Sequence, residues 1–473
     1  MQISESEIQS IVRKVVERIG QQADPSISQR RAEGPRRHQM GVFDQMDPAV
    51  AAAEQAQQAL LGLSLDHRKK IIESVRRLCH EYVVELAEAA VRETGLGRVD
   101  DKIKKNRLVI DKTPGPEILE PWTYTGDDGM TLHERGPMGV LAAVTPCTNP
   151  SETVICNAIG MISAGDSVIF NPHPLAKAVS ARTVELINEA VVAVGGPANL
   201  VCCMKDPTIE SAQALMRHPE VRMVVVTVGP GVVAEAMRCG KKVIGAGPGN
   251  PPVVVVDETA DLDVAGKGIV LGASLDNNIV CIAEKEIIAV DSIADDLKKS
   301  MAHYGGYEVA EHQRRKLETL LLAKDGPKKE WIGKDAVKIL AEIGVNAGPE
   351  IRLVFCETDK NHPFAQFEML LPVIPLIRVK SAHEGIVLAK ELEHGYRHTA
   401  VMYSRNIEHL HEMARLIDTS IFVKNAPSYA GLGLGGEGYT SFTIAGPTGE
   451  GLTTAINFTR ERRCTLAGHF RIV

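Results

Sequence analysis

Four short aliphatic runs, each set off by a stretch with helical spacing, constrain this chain more than any other feature. They are "GVLAAVTP" (139–146), "DSVIFNP" (166–172), "LVCCM" (200–204) and "RMVVVTV" (222–228), and residues 152–163, 175–193 and 207–217 between them have helical patterns. The runs are continuously apolar rather than alternating, which is the pattern of strands covered on both faces. Strands of that kind joined by helices form a parallel sheet with crossover connections, so the reading is α/β and doubly wound. After a hinge-like "GAGPGN" (245–250) a second α/β run follows through "PVVVVD", a helix at 261–275, "EKEIIAVDS", "IRLVFCE" and "LPVIPLIRV". Aromatic residues make up only 4% of the chain, so both cores must be built from Val, Ile, Leu and Ala.

Ahead of this body, residues 47–95 read as a pair of helices, and "EPWTYTGDDGMTLHERG" (120–136) reads as a hairpin turning at Gly126-Asp127-Asp128-Gly129. The first twenty residues stand apart. Ile3, Ile8, Ile11, Val12, Val15, Val16 and Ile19 recur at helical spacing among Gln, Ser, Glu, Arg and Lys, and Gly20 is a stop signal. The polar segment that follows carries two prolines and paired arginines and reads as a flexible linker. A helix this short is marginal alone in water, so its aliphatic face calls for a partner. The expected organisation is a helix over 1–20, a linker over 21–43, a first domain over 44–246 with a hairpin inserted at 118–135, a second domain over 247–440, and a return segment over 441–473.

Composition removes several function classes. A net charge of −7 argues against nucleic acid as the main partner. No apolar run approaches the roughly 18 residues of a membrane span, and the N-terminus lacks the apolar core of a secretory signal. Nine cysteines at irregular spacing, with no Cys-x-x-Cys, suit a reducing cytoplasm and give no basis for a disulfide framework or a metal site. "AGLGLGGEGYTSFTIAGPTGEG" (430–451) satisfies Gly-x-Gly-x-x-Gly twice, yet no helical pattern follows it. It reads as a glycine-rich loop near a site rather than a dinucleotide fingerprint.

Several stretches, in this order, resemble the aldehyde dehydrogenase superfamily: "VTPCTNPSET" (144–153), "SVIFNPHP" (167–174), "GAGPGNPP" (245–252), "DNNIVCIAEKE" (276–286), "EHGYRHTAVMYS" (393–404) and "SIFVKNAPSYAGLGLGGEG" (420–438). The likeness runs over residues 45–473 and is strongest to the CoA-acylating aldehyde dehydrogenases of bacterial microcompartments. It implies an NAD-binding domain, a catalytic domain, and an arm, made by the hairpin and "CTLAGHFRIV", that pairs subunits into a homodimer or homotetramer. The N-terminal helix resembles the peptides that carry such enzymes to a shell protein in the compartment lumen.

The resemblance also implies site roles. Cys281 matches the nucleophile that attacks an aldehyde carbonyl, and hydride transfer to NAD+ then leaves an acyl thioester. The oxyanion donors would be the Cys281 backbone N–H and a side chain of the "PCTNP" turn, either Thr148 at the aligned position or its neighbour Asn149. Asn171, Pro172, His173, Thr227, Gly229 and Gly231 match cofactor-binding positions, and Glu368 matches a glutamate that holds the nicotinamide ribose. His398 is assigned either to CoA or cofactor binding or to a structural hydrogen bond. One departure matters. Hydrolytic relatives carry a glutamate base in the hinge segment, and "VIGAGPGN" has none. The expected acyl acceptor is therefore CoA rather than water, and the expected substrate a short-chain aldehyde such as acetaldehyde or propionaldehyde. The competing readings are a hydrolytic aldehyde dehydrogenase making free acid and a catalytically idle scaffold.

Overall fold

The computed structural model describes residues 40–247 and 253–472. The expected helix over 1–20 and nearly all of the linker over 21–43 lie outside them, as do residues 248–252 of the hinge-like stretch. Residues 41–473 form one compact unit.

Among the described residues, two parallel sheets carry the fold. The first has six strands in the order Val42–Phe43, Val201–Met204, Ser167–Pro172, Val140–Thr145, Val221–Thr227, Lys242–Ala246, with every pairing parallel. Three of the four aliphatic runs become strands buried along their whole length, and Val221–Thr227 is buried at most positions. The second sheet has seven strands in the order Gly306–Glu308, Leu353–Glu357, Val373–Val379, Glu286–Val290, Val253–Val256, Thr399–Tyr403, Ile421–Lys424, again all parallel.

Helices cover both sheets, and their ends follow local chemistry. Ser64 caps Leu65–Glu81 by accepting from the His67 N–H at 3.1 Å. Thr208 and Ser211 cap Ile209–Arg217 reciprocally. Pro150–Ala164 opens on proline and stops at the left-handed Gly165, and all of its residues are buried. It packs between the first sheet and the helices Leu65–Glu81, Val99–Lys112 and Lys177–Ala193. No helix among the described residues is long and apolar enough to cross a membrane.

The pair of helices expected over 47–95 is three: Met46–Leu61, Leu65–Glu81 and Val83–Thr94. The Ser64 cap starts the second, and Tyr82 (φ −104, ψ 9) leaves helical geometry between the second and third. A further helix, Val99–Lys112, follows them. The hairpin is present as Trp122–Gly126 and Gly129–Pro137, joined through Asp127-Asp128. Thr459–Ala467 adds a third antiparallel strand from the C-terminal end, exposed at every position after Thr459.

Candidate active site

In the first sheet, after the edge strand Val42–Phe43, the chain enters at Val140–Thr145, steps outward through Ser167–Pro172 to Val201–Met204, then crosses to the other side at Val221–Thr227. Ligands in such sheets bind outside the carboxyl ends where the order reverses. A cavity of about 630 Å³ opens there, lined among others by Thr145, Asn171, Pro172, His173, Gly229 and Gly231. Ile209, Ala212, Met216, Val228 and Val232 give it apolar walls. Asn171 is fixed by Ser211, whose hydroxyl donates to its Oδ1 at 2.5 Å. The His173 Nδ1 accepts from the Leu175 N–H at 3.1 Å, and burial pushes the ring's pKa down. Thr227 is not brought into the cavity lining; its hydroxyl meets that of Thr443 at 3.1 Å. A largely apolar cavity at strand ends, with amide and imidazole groups in its lining, fits a dinucleotide such as NAD.

The second half of the site lies at the opposite kind of edge, the amino ends of the second sheet. Glu286 and Ala400 both stand level with Val253 in adjacent strands, so the segments leading into Glu286 and Ala400 arrive at this edge. One such segment carries Cys281. It begins with an unusual backbone: Asp276 (φ 49), Asn277 (φ 54) and Asn278 (φ 67) are three consecutive left-handed residues, none of them glycine. Such a run persists only where its surroundings over-determine it, and each side chain is tied. Asp276 Oδ1 accepts from the Arg98 N–H at 2.7 Å, and its Oδ2 from Lys105 Nζ at 2.6 Å and Lys102 Nζ at 3.0 Å. Asn277 donates to the Gly333 carbonyl at 2.9 Å and to Asp335 at 3.0 Å. Asn278 donates to the carbonyls of Ala273 and Glu284, and its own carbonyl accepts from Lys285.

Cys281, delivered by this segment, is half-buried, between the fully buried Val280 and Ile282. Burial pushes its thiol up to about 12; the Glu368 carboxylate acts in the same direction, and the ammonium groups of Lys285 and Lys105 oppose it. Glu284, Lys285 and Glu286, which read as a charged run, are all buried. Glu284 accepts from the N–H and hydroxyl of Ser428 at 2.7 and 2.8 Å, tying the nucleophile segment to the glycine-rich loop. Glu286 is pushed well above the usual carboxyl range by burial. His398 is buried; burial and then the charge of Lys285 bring its pKa down to about 4, so the ring is neutral. Its Nδ1 lies 2.8 Å from the Thr399 hydroxyl. Glu368 is half-buried and acts on both Cys281 and Lys285.

The "PCTNP" turn faces the same lysines. Asn149 is the N-cap residue of Pro150–Ala164 and is buried; its Oδ1 accepts from Lys105 at 2.5 Å. The Thr148 carbonyl accepts from Lys102 at 2.9 Å, and its hydroxyl accepts from Asn149 Nδ2 at 3.2 Å. Lys102, Lys105 and Asp276 were not singled out from sequence. The signal was present: Lys102 and Lys105 share a helical face with Val109, at positions i, i+3 and i+7, so the lysines lie on an apolar stripe.

Comparison with known proteins agrees with this geometry. Residues 29–309 match the model of the aldehyde dehydrogenase family. The acetylating acetaldehyde dehydrogenase EutE of Salmonella typhimurium is 49% identical over 478 residues, covering 100% of each chain. The structure of a Rhodopseudomonas palustris propionaldehyde dehydrogenase, solved with bound CoA and an acylated cysteine, superposes with a TM-score of 0.89 at 48% identity, over 90% of this chain and 98% of that one. A propionaldehyde dehydrogenase from the fucose utilisation microcompartment of Clostridium phytofermentans superposes with a TM-score of 0.90 at 45% identity, over 92% of this chain and all of that one. With that family match, the full-length relatives, the doubly wound sheet and the cavity at its reversal point, this chain belongs to the aldehyde dehydrogenase family.

Proposed function

We propose that the chain oxidises a short-chain aldehyde, acetaldehyde or propionaldehyde, to the acyl-CoA, using NAD+ and CoA, inside a bacterial microcompartment. The observation that carries this reading is Cys281: a half-exposed thiol held on an over-determined backbone, in a chain whose hinge segment has no carboxylate to activate water. When bound, the nicotinamide supplies a hydride acceptor and CoA supplies the thiol that takes the acyl group.

The chain's own residues do the rest. Cys281 gives up its thiol proton to solvent and its Sγ bonds to the carbonyl carbon, while the C–O π pair moves onto the carbonyl oxygen as negative charge. The Cys281 backbone N–H and the Asn149 amide donate to that oxygen. Of the two candidates in the turn, Asn149 is taken as the side-chain donor: its Oδ1 is held by Lys105 and one N–H by the Thr148 hydroxyl, which leaves the second N–H to donate. Collapse of the oxyanion expels hydride and leaves a thioester on Cys281. Asn171, Pro172, His173, Gly229 and Gly231 hold the dinucleotide, with Glu368 on the nicotinamide ribose. His398, buried and neutral, serves either to bind CoA or cofactor or as a structural histidine held by the Thr399 hydroxyl. The three-stranded arm pairs copies of the chain into a dimer or tetramer, and residues 1–20 dock on a shell protein.

The test is NADH formation with and without CoA. With aldehyde and NAD+ alone, turnover should stop after about one NADH per active site, because the thioester cannot be released. Sustained production at an unchanged rate without CoA would make the enzyme hydrolytic.

A further inference from the structure

We infer that Lys105, buried on the helix Val99–Lys112, is a positioning residue that sets the orientation of the Asn149 amide and locks it to the nucleophile segment. The inference rests on Asn149 being an oxyanion donor, as proposed above.

An ammonium has three N–H donors and no acceptor. Around Lys105 Nζ stand three oxygens: Asn149 Oδ1 at 2.5 Å, Asp276 Oδ2 at 2.6 Å and Glu152 Oε1 at 3.1 Å. The side chain is 1% exposed, and those of Asp276 and Glu152 are fully buried, so water does not compete for these donors. An asparagine amide can turn over at little cost when both ends meet solvent. Here it cannot, because only the oxygen end can face an ammonium. The NH2 end is thereby aimed away from Lys105. Thr148 Oγ1 takes one of its protons at 3.2 Å. The other is the donor offered to a developing oxyanion.

The same nitrogen holds Asp276, the first residue of the left-handed run that ends three residues before Cys281. One ammonium therefore spans the two halves that must keep register, the turn with the oxyanion donor and the segment with the nucleophile. Lys102 makes a parallel bridge, but to the Thr148 carbonyl, so it fixes backbone and not the amide. Two lysines and the carboxylates of Asp276 and Glu152 balance in charge, which lets all four remain buried.

The experiment is a double-mutant cycle between Lys105→Met and Asn149→Ala in the full-length enzyme. It reads kcat and KM for CoA-dependent NADH formation, the NAD+ dissociation constant, and the rate at which iodoacetamide alkylates Cys281. Losing one oxyanion donor costs roughly 10²–10³ in kcat. Asn149→Ala should show such a loss, and Lys105→Met should show about 10², with the NAD+ constant unchanged. The double variant should be no slower than Asn149→Ala alone, within about threefold, since Lys105 acts through an amide that is no longer there. Alkylation builds no oxyanion, so its rate in Lys105→Met should stay within about tenfold of the wild type. If Lys105→Met does not fold, Lys105→Met with Glu152→Gln restores the charge balance and the cycle is run on that background. Multiplicative losses in kcat, or alkylation falling as far as turnover, would mean Lys105 only supports the fold and would overturn the inference. Wild-type turnover by Asn149→Ala would instead remove the oxyanion role of Asn149, and the inference with it.

Discussion

A cysteine held half-buried under a low-dielectric cover is a poor nucleophile until something changes its surroundings. Burial, the largest cause, and the nearby Glu368 carboxylate place the Cys281 thiol up at about 12, and Lys285 and Lys105 do not cancel them. The resting enzyme therefore keeps Cys281 protonated at neutral pH. Iodoacetamide labelling of the free enzyme should rise about tenfold per pH unit between pH 7 and 9, because the thiolate fraction grows that fast well below a pKa. A plateau near pH 7 would show a thiolate already formed. Cys281→Ala should abolish NADH formation while leaving NAD+ binding intact, since the cavity lining lies on other elements. Near-normal turnover by that variant, measured by NADH absorbance, would remove Cys281 from the chemistry. Cys281 was legible in the sequence through its motif. Its network was not, because a lysine in a helix looks the same whether its ammonium meets water or a buried carboxylate.

At the scale of elements, the nucleophile segment is held by side chains rather than by regular structure. Asn278 does the most: its amide satisfies two buried carbonyls, its own carbonyl and Oδ1 accept from Lys285, and it sits at φ 67. Asn278→Ala should destabilise the protein by about 3 kcal/mol, from unpaired buried groups and the left-handed backbone. Asn278→Gly should recover roughly 1 kcal/mol of that, the backbone share alone. Equal urea midpoints for the two variants would show that the backbone conformation carries no strain. Glu284 makes the second clasp, onto Ser428, and its carboxylate fills the space beside Gly272, where an added Cβ would come within 2.2 Å of both oxygens. Burial, opposed by the Ser428 bonds and Lys285, raises Glu284 to about 7. The folded state then binds more protons than the unfolded chain between roughly pH 4 and 7, so stability falls as pH rises through that window, by up to about 3 kcal/mol, and levels off above it. Glu284→Gln should flatten this fall, read as a smaller difference between urea midpoints at pH 5 and pH 8. An unchanged difference would place the titration elsewhere. Strands of this kind were legible because continuous Val-Ile runs have few alternatives in a soluble chain. The break at Tyr82 was not, because apolar spacing continues across it and only tertiary packing decides that the helix stops.

For the whole molecule, the doubly wound sheet and the place of the cavity followed from strand order, which crossover connections leave little freedom to vary. Residues 1–20 are a separate matter, since they lie outside the described residues and their role rests on sequence alone. Their aliphatic stripe, Ile8, Ile11, Val12, Val15 and Ile19, sits on an otherwise polar segment joined to the body by a polar linker of about twenty residues, unusually long for a compact domain. A segment that served the body's own core would not need that tether. Deleting residues 1–20 should leave the kinetics of the purified enzyme nearly unchanged and stop its co-purification with microcompartment shells. Burial of each branched side chain is worth roughly 1.5–3 kcal/mol before the cost of ordering the helix. A charge in the stripe removes one such contribution and adds the desolvation of a carboxylate, so Val15→Asp should abolish docking. Changes at Glu5 or Gln9 on the polar face should matter little. The measurement is the fraction of a fluorescent protein fused to residues 1–20 that is retained in purified compartments. Equal retention for the native segment and for Val15→Asp would show that the stripe is not the docking surface, and the linker would then need another explanation.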